Sequence, residues 1–392
     1  MPRVLSIATL YPNSHVPRFG TFVARQMEAL AARGDWDVTV INPIGLPPVP
    51  MGRYKALADA AISREEGGVD VRRPRFTLIP AIGGPFNPAM IAKAVLPLAQ
   101  RLHAREPFDL VDAQFFYPDG PAAARIALEL GLPLSIKARG ADIQFWGHKG
   151  YALKKMLRAA DQASGLLAVS EALKEDMVAI GLPRDKITIH YTGLDRELFR
   201  PLDKAQSRKR LADDFNVQLH EGETLLASVG ALIPRKGQQF VIRALPDLPE
   251  AHLVLVGKGD DEASLRELAY QCDVSHRVHF LGSLDHGALP VVLSAADIMV
   301  LPAASEGLAN AWVEALACGT PLVITDAGGA KELVKAPEAG RIVARQAHAI
   351  AEGVREVLAA GYAPADVART VESFSWEANA AALADYYTRL IT

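Results

Sequence analysis

Ser305-Glu306-Gly307-Leu308-Ala309-Asn310-Ala311-Trp312-Val313-Glu314-Ala315-Leu316-Ala317-Cys318-Gly319-Thr320-Pro321-Leu322-Val323 decides how this chain is read. An apolar run, Ile298-Met299-Val300-Leu301-Pro302, precedes it and has the look of a buried strand. Glu306 follows in a small-residue loop, and Glu314 lies on the helix beyond. Gly319 stops that helix, and Pro321 to Thr325 reads as the next strand. Strand, polar loop, helix and strand make one βαβ unit with its acids at the carboxyl end of the strand, where open α/β sheets bind ligands.

The spacing of the two acids restricts their chemistry. Taken as helix, eight residues advance about 12 Å. Two carboxylates that share one glycosidic oxygen stand roughly 5–10 Å apart. The pair therefore reads as two grips on one elongated ligand, with Glu306 toward a sugar and Glu314 toward a ribose diol. A diphosphate fits between them, near the helix N-terminus. The alternative is a pair of ordinary helix-surface acids, with Glu306 favoured by the helix dipole.

Outward from this stretch the same alternation recurs. In the first half, strands are expected at Val4–Leu10, Asp37–Ile41, Val69–Phe76, Asp109–Ala113, Leu132–Ala138, 165–169 and 186–191, with helices between. A second series follows at Leu225–Val229, His252–Val256, Val278–Leu281, Ile298–Leu301, Leu322–Thr325 and Arg341–Val343. Such alternation implies parallel sheets with right-handed crossovers. Thr21 is expected to cap the first helix. The Pro-rich segment from Pro43 to about Ser63 reads as a mobile loop with one short helix. The charged stretch between Asp195 and Phe215 reads as a hinge. The helix over 89–105, with Met90, Ile91, Ala94, Val95, Leu98 and Leu102 on one side, is either core-facing or a surface helix that meets a lipid-linked substrate.

With 392 residues, two domains are expected. Half the residues are hydrophobic and 22% are charged, as in a globular protein. Cys272 and Cys318 are the only cysteines, which argues against a disulfide framework or a zinc site. No run is long enough to cross a bilayer, and the N-terminus has no signal-peptide layout, so a cytoplasmic protein is expected. Residues 1–198 hold 24 Lys/Arg against 20 Asp/Glu, and residues 199–392 hold 18 against 25. The positive half suits phosphates or the inner face of an anionic membrane.

Two further strand ends carry glycine motifs. In Val229-Gly230-Ala231-Leu232-Ile233-Pro234-Arg235-Lys236-Gly237, two cations precede a helix N-terminus, a place that suits phosphate oxygens. Gly257-Lys258-Gly259 lacks the third glycine of a dinucleotide fingerprint, since Glu262 stands in its place. It reads as a tight turn.

Ser305-Glu306-Gly307 through Glu314-Ala315-Leu316-Ala317-Cys318-Gly319-Thr320-Pro321 resembles the E-x7-E region of retaining glycosyltransferases of family 4 (glycosyl transferases group 1). Gly20-Thr21-Phe22-Val23 with Gln26 and Leu30, Ala168 to Leu173, Thr192-Gly193-Leu194-Asp195 with Phe199-Arg200-Pro201, and Phe374-Ser375-Trp376 resemble further segments of that family. The resemblance implies an α/β GT-B fold, with two Rossmann-like doubly wound domains facing each other across a cleft. Residues 1–198 with a crossing helix at about 376–392 would bind the acceptor, and residues 199–375 the nucleotide-sugar donor. It implies a retaining, metal-independent hexosyltransferase of polysaccharide biosynthesis. No cofactor is expected, only a UDP- or GDP-sugar as co-substrate, with a glycan, lipid-linked or small-molecule acceptor and no nucleic acid. Glu306 would contact the donor sugar beside the backbone amides of Gly307, Leu308, Ala309 and Asn310. Glu314 would hold the ribose, Lys236 the diphosphate, and Gly20 and Gly230 would allow close approach of backbone to phosphate. The loop after Leu281 would lie near the base. Where many members have arginine, this chain has Ala231, and Arg235 is the expected substitute. Gln114 and Arg139 stand where members often carry histidine, so Arg139 and Asp142, with Gln114, become contacts for donor or acceptor. The competing readings are another GT-B enzyme such as a nucleotide-sugar epimerase, and a non-catalytic nucleotide-sugar-binding relative.

Overall fold

The computed structural model describes residues 1–80 and 82–392. It divides into two units, residues 1–193 with 376–392, and residues 194–375. The first seam lies five residues before the expected 198/199 boundary.

In the first unit the strands are β1 (Arg3–Ile7), β2 (Asp37–Ile41), β3 (Ile44–Leu46), β4 (Arg64–Glu66), β5 (Val69–Arg72), β6 (Arg75–Thr77), β7 (Leu110–Ala113), β8 (Leu134–Lys137), β9 (Gly165–Ala168) and β10 (Ile187–Ile189). Eight of them form one sheet in the order β10-β9-β8-β7-β1-β2-β5-β4. All its pairings are parallel except β4 against β5. The helices are α1 (Thr21–Ala32), α2 (Arg53–Asp59), α3 (Asn87–Arg105), α4 (Asp119–Leu130), α5 (Gly150–Gln162) and α6 (Glu171–Ala179). Central strands such as β7, β8 and β9 are buried along their whole length, because helices cover both faces and leave no polar side to alternate with.

The second unit holds β11 (Thr224–Val229), β12 (Ala251–Val256), β13 (Val278–Gly282), β14 (Ile298–Leu301), β15 (Leu322–Thr325) and β16 (Gly340–Val343), all parallel, in the order β13-β12-β11-β14-β15-β16. Its helices are α7 (Lys204–Phe215), α8 (Gln238–Ala244), α9 (Glu262–Gln271), α10 (Leu289–Ala295), α11 (Asn310–Ala317), α12 (Ala330–Leu333), α13 (Ala347–Ala360) and α14 (Pro364–Arg369). Leu226, Val241, Leu253, Leu255, Ile298, Val323 and Val354 are among the side chains of its core. The last helix, α15 (Trp376–Ile391), returns to the first unit. There it packs on α1, and Leu383 and Tyr387 join Met27, Leu30 and Val38 in one core.

Several local expectations are corrected. Gly20, not Thr21, caps α1, and it does so with left-handed backbone (φ 74°). A side chain at Gly20 would place its Cβ 2.5 Å from the Leu10 carbonyl carbon, so only glycine fits. The segment 43–63 contains a strand besides its helix: β3 pairs with β6 in a separate two-stranded sheet. The expected strand over Val69–Phe76 breaks in two at Pro74, whose nitrogen has no hydrogen to give the ladder. The expected hinge between Asp195 and Phe215 includes a three-turn helix, α7. Asp203 caps it by accepting from the Gln206 amide, and Arg208 donates to Asp297 at 2.7 Å. Its charged composition hides a single buried leucine, Leu211. Helix α3 is core-facing, since Ile91, Ala92, Val95 and Ala99 are buried and it packs against α4. The surface-helix reading of this segment falls.

Candidate active site

The strand order of the second unit fixes where a ligand can sit. The chain leaves β11 toward β12 and β13 on one side, then returns to β14 on the other side of β11. Such a reversal, at the carboxyl ends of the strands, is where open α/β sheets take their ligands. The loop after β11 carries Arg235 and Lys236, and the loop after β14 carries Glu306.

These loops are built on each other. The Ala304 amide donates to the Arg235 carbonyl at 2.8 Å. Gly237 adopts left-handed backbone (φ 84°) as the cap of α8, and a Cβ there would lie 2.2 Å from the Pro302 oxygen. Arg345, just after β16, donates to the carbonyls of Pro302 and Pro234, both at 2.8 Å, and stacks on Phe240. Gly257 and Gly259 serve packing in the same way: added Cβ atoms would meet the Gly230 oxygen at 1.9 Å and the Leu232 oxygen at 2.1 Å. The Gly-x-Gly after β12 is thus a tight turn against the loop after β11. On the far side of the acidic loop, the Gly329 amide donates to the Gly307 carbonyl at 2.8 Å.

Within this frame Lys236 Nζ donates to Glu306 Oε1, Arg235 Nη1 stands 3.3 Å from the same oxygen, and Arg235 also donates to the Ser305 carbonyl. The Glu306 side chain is only 9% exposed and that of Lys236 14%. Two cations against one carboxylate leave a surplus of positive charge on partly shielded side chains. Gly307, Leu308 and Ala309 are buried in the turn that leads into α11, whose first amides have no partner within the helix. Cations and helix amides together suit an anion such as a diphosphate.

Glu314 lies on the second turn of α11 and is 13% exposed. Its Oε1 meets His286 Nε2 at 3.2 Å, and the His286 ring packs edge-on against Phe199 at 4.9 Å. His286 follows the loop after Leu281 at the end of β13, so the loop assigned to the base and the acid assigned to the ribose are neighbours. Glu306 precedes α11 by four residues, so the span between the two acids is half loop. The 12 Å helical spacing does not describe it, although the two acids do have separate partners.

The remaining residues singled out from the sequence belong to the first unit. The Gln114 side chain is fully buried. It donates to Asp112 Oδ2 and accepts from Gln26 Nε2 at 3.0 Å and from Arg139 Nη2. Asp142 is also fully buried and accepts from the amides of Phe116 (2.8 Å), Gly140 (2.9 Å) and Arg139 (3.0 Å). It opens a π-helical turn, Asp142–Trp146, after β8. Both side chains, expected to contact ligand, are buried with their polar atoms engaged by the protein. Arg139 is half-buried, donates to the Gln114 carbonyl at 2.9 Å, and lies over the Phe22 ring. Burial pushes its guanidinium down to about 10.

Sequence reading missed the group beneath Arg139. Lys137 is fully buried, donates to Gln26 Oε1 at 2.8 Å and meets His190 Nδ1, whose other ring nitrogen faces the Asn379 carbonyl. Burial and the Arg139 charge push the Lys137 amine well below the usual lysine range. Burial and Lys137 push His190 down in the same direction. The one signal was a lysine closing a short strand, Leu134-Ser135-Ile136-Lys137, beside apolar Leu134 and Ile136. Arg345 and His286 were also missed, because their partners are backbone carbonyls and a side chain distant in sequence.

Comparison with known proteins gives the family. The model of glycosyl transferases group 1 matches residues 209–372, and that of the glycosyl transferase 4-like domain matches residues 19–193. A putative teichuronic acid biosynthesis glycosyltransferase, TuaC of Bacillus subtilis (strain 168), is 30% identical over 90% of this chain and 88% of its own. A GDP-mannose-dependent alpha-(1-6)-phosphatidylinositol monomannoside mannosyltransferase of Mycobacterium tuberculosis is 29% identical over 62% of this chain and 66% of its own. Among solved structures, sucrose-phosphate synthase from Thermosynechococcus elongatus matches with a TM-score of 0.78 at 22% identity, over 100% of this chain and 99% of that one. Anabaena HepE in complex with UDP and glucose matches with a TM-score of 0.75 at 22% identity, over the whole of both chains. At these identities the structural likeness is one of fold, the two Rossmann-like domains of GT-B enzymes. The chain belongs to the glycosyl transferases group 1.

Proposed function

We propose that this glycosyltransferase takes its sugar from a UDP- or GDP-sugar held at the β11/β14 reversal, and transfers it with retention of anomeric configuration and without a bound metal. The observation that carries the reading is the Lys236–Glu306–Arg235 cluster at that reversal. Before donor binds, Glu306 balances part of the cationic charge. An arriving diphosphate takes over Lys236 and Arg235, and Glu306 is released to accept from sugar hydroxyls. Glu314 holds the ribose diol, with the His286 loop beside the base. As the bond to the anomeric carbon breaks, charge grows on the leaving diphosphate. Lys236, Arg235 and the first amides of α11 stabilise it electrostatically. The two cations and the helix amides supply neutralisation that other enzymes obtain from a divalent ion. A leaving-phosphate oxygen takes the acceptor proton on the face that the departing group occupied, so the configuration is retained.

The acceptor is a glycan or lipid-linked glycan bound by the first unit. HepE is in complex with UDP, and the mycobacterial relative is GDP-mannose-dependent, which supports these two nucleotides as the first to try. The test is a screen of UDP- and GDP-sugars against an acceptor panel, with the product anomer read by NMR. Retained configuration and unchanged turnover in EDTA are expected, as is loss of turnover in Glu306→Ala with nucleotide still bound. An inverted product, or activity abolished by EDTA and restored by a divalent ion, would overturn the mechanism.

A further inference from the structure

Glu314 is fixed on one side and open on the other. It sits on the second turn of α11 with its side chain 13% exposed. Its Oε1 lies 3.2 Å from His286 Nε2. Among the described residues, nothing else bonds this carboxylate, so Oε2 is available to a ligand. A carboxylate only accepts, so His286 Nε2 carries the hydrogen whatever the charge of the ring.

His286 is itself held from behind. It opens a single 3-10 turn, His286–Ala288, that runs into α10. Its ring packs edge-on against Phe199, with centroids 4.9 Å apart. Phe199 is buried, and its amide donates to the Asp195 carbonyl at 2.8 Å, which closes the turn at the start of the second unit. The Leu198 amide donates to Asp195 Oδ1 at 3.0 Å and braces the same turn.

Stability of the fold is a poor reason for the His286–Glu314 contact. The His286 side chain is 56% exposed, and a pair open to solvent contributes little to stability. What the contact does is take freedom from Glu314. A glutamate has several torsions to lose when it meets a ligand, and ordering such a side chain in advance strengthens binding by roughly two- to tenfold.

We propose that His286 is a positioning residue: it pins Glu314 Oε1 so that Oε2 is presented to the ribose hydroxyls of the nucleotide. It thereby sets the preference of this site for ribonucleotides over nucleotides that lack those hydroxyls. The proposal rests on the reading of Glu314 as the ribose contact and adds the residue that makes the contact selective. His286 acts through Glu314 and touches no reacting atom.

The test needs no acceptor and no turnover. Calorimetry with the full-length protein compares UDP and GDP with their 2′,3′-dideoxy counterparts. Wild type is expected to bind the ribonucleotide at least about tenfold more tightly, the least cost of losing a hydrogen bond to a charged acceptor. Glu314→Ala should abolish that preference. His286→Ala should weaken the ribonucleotide by about threefold or more and leave the dideoxy nucleotide unchanged. His286→Gln, whose amide nitrogen reaches the place of Nε2, should restore most of the difference. In the Glu314→Ala background, His286→Ala should have no further effect.

A preference intact in His286→Ala but abolished in Glu314→Ala would overturn the proposal and leave the ribose reading standing. Equal weakening of both nucleotides in His286→Ala would assign the histidine a structural role and overturn it too. A wild type that does not prefer the ribonucleotide, or a preference kept in Glu314→Ala, would remove the ribose assignment of Glu314 and the proposal with it.

Discussion

Removing the Lys236 ammonium tests the donor site at its best-defined contact. In Lys236→Ala, Glu306 keeps Arg235 at 3.3 Å, so its carboxylate is not left without a cation. Unfolding free energy should then drop by only about 1–2 kcal/mol, short of the ~3–5 kcal/mol typical when a buried charge loses its whole partner. Ligand binding should suffer more. A charge-assisted hydrogen bond to a phosphate oxygen is worth about 1.5–3 kcal/mol, which weakens nucleotide-diphosphate affinity by roughly 10- to 150-fold. The catalytic step should lose a further factor on the order of 100–1,000, the usual cost of deleting one donor to a developing oxyanion. Urea denaturation, calorimetry with UDP and GDP, and turnover with the preferred donor measure the three quantities. Lys236→Arg should recover part of the affinity and less of the rate, because a planar fork cannot occupy the place of a point charge. A folded Lys236→Ala that binds nucleotide within twofold of wild type and turns over within threefold would rule out Lys236 as the diphosphate contact.

Two further outcomes follow from the geometry. Gly237→Ala puts a methyl 2.2 Å from the Pro302 oxygen at φ 84°; it should cost at least about 1–3 kcal/mol by denaturation and weaken nucleotide binding with it. Asp119 is fully buried and accepts from the Thr9 amide, and burial pushes its carboxyl up to about 7. The folded state therefore holds a proton that the unfolded chain gives up near pH 4. This contribution to stability is full below about pH 4 and is lost as pH rises to about 7. Asp119→Asn, which keeps the acceptor and removes the titration, should flatten that slope in unfolding free energy measured between pH 4 and 8.

The fold was legible because both sheets are parallel and covered on two faces, so that each strand is a short apolar run ended by a glycine or a polar residue. Strand β14 and helix α11 emerge at once from Ile298–Leu301 and from the helical pattern before Gly319. The candidate site in the second unit drew attention for a related reason: Glu306, Arg235 and Lys236 sit on the loops that directly follow two strands, and Glu314 on the helix after one of them. Less visible were features set by contacts distant in sequence. Nothing local to α7 shows that Arg208 and Asp297 hold it to the second unit. Gln114 and Asp142 read as ligand contacts in the sequence, yet the fold closes over them, and their polar atoms serve Arg139, Asp112 and four backbone amides. Lys137 was passed over because a lysine at a strand end is ordinarily exposed. Arg345 joins two loops through carbonyls, which carry no sequence signature.

The most direct measurement is a crystal structure of the protein with UDP or GDP bound. The diphosphate is expected within hydrogen-bonding distance of Lys236 Nζ and Arg235, the ribose hydroxyls on Glu314, and the Lys236–Glu306 contact opened to admit the phosphate. A nucleotide seated on the Gly257–Gly259 turn or in the first unit, with the Lys236–Glu306 pair intact, would contradict it.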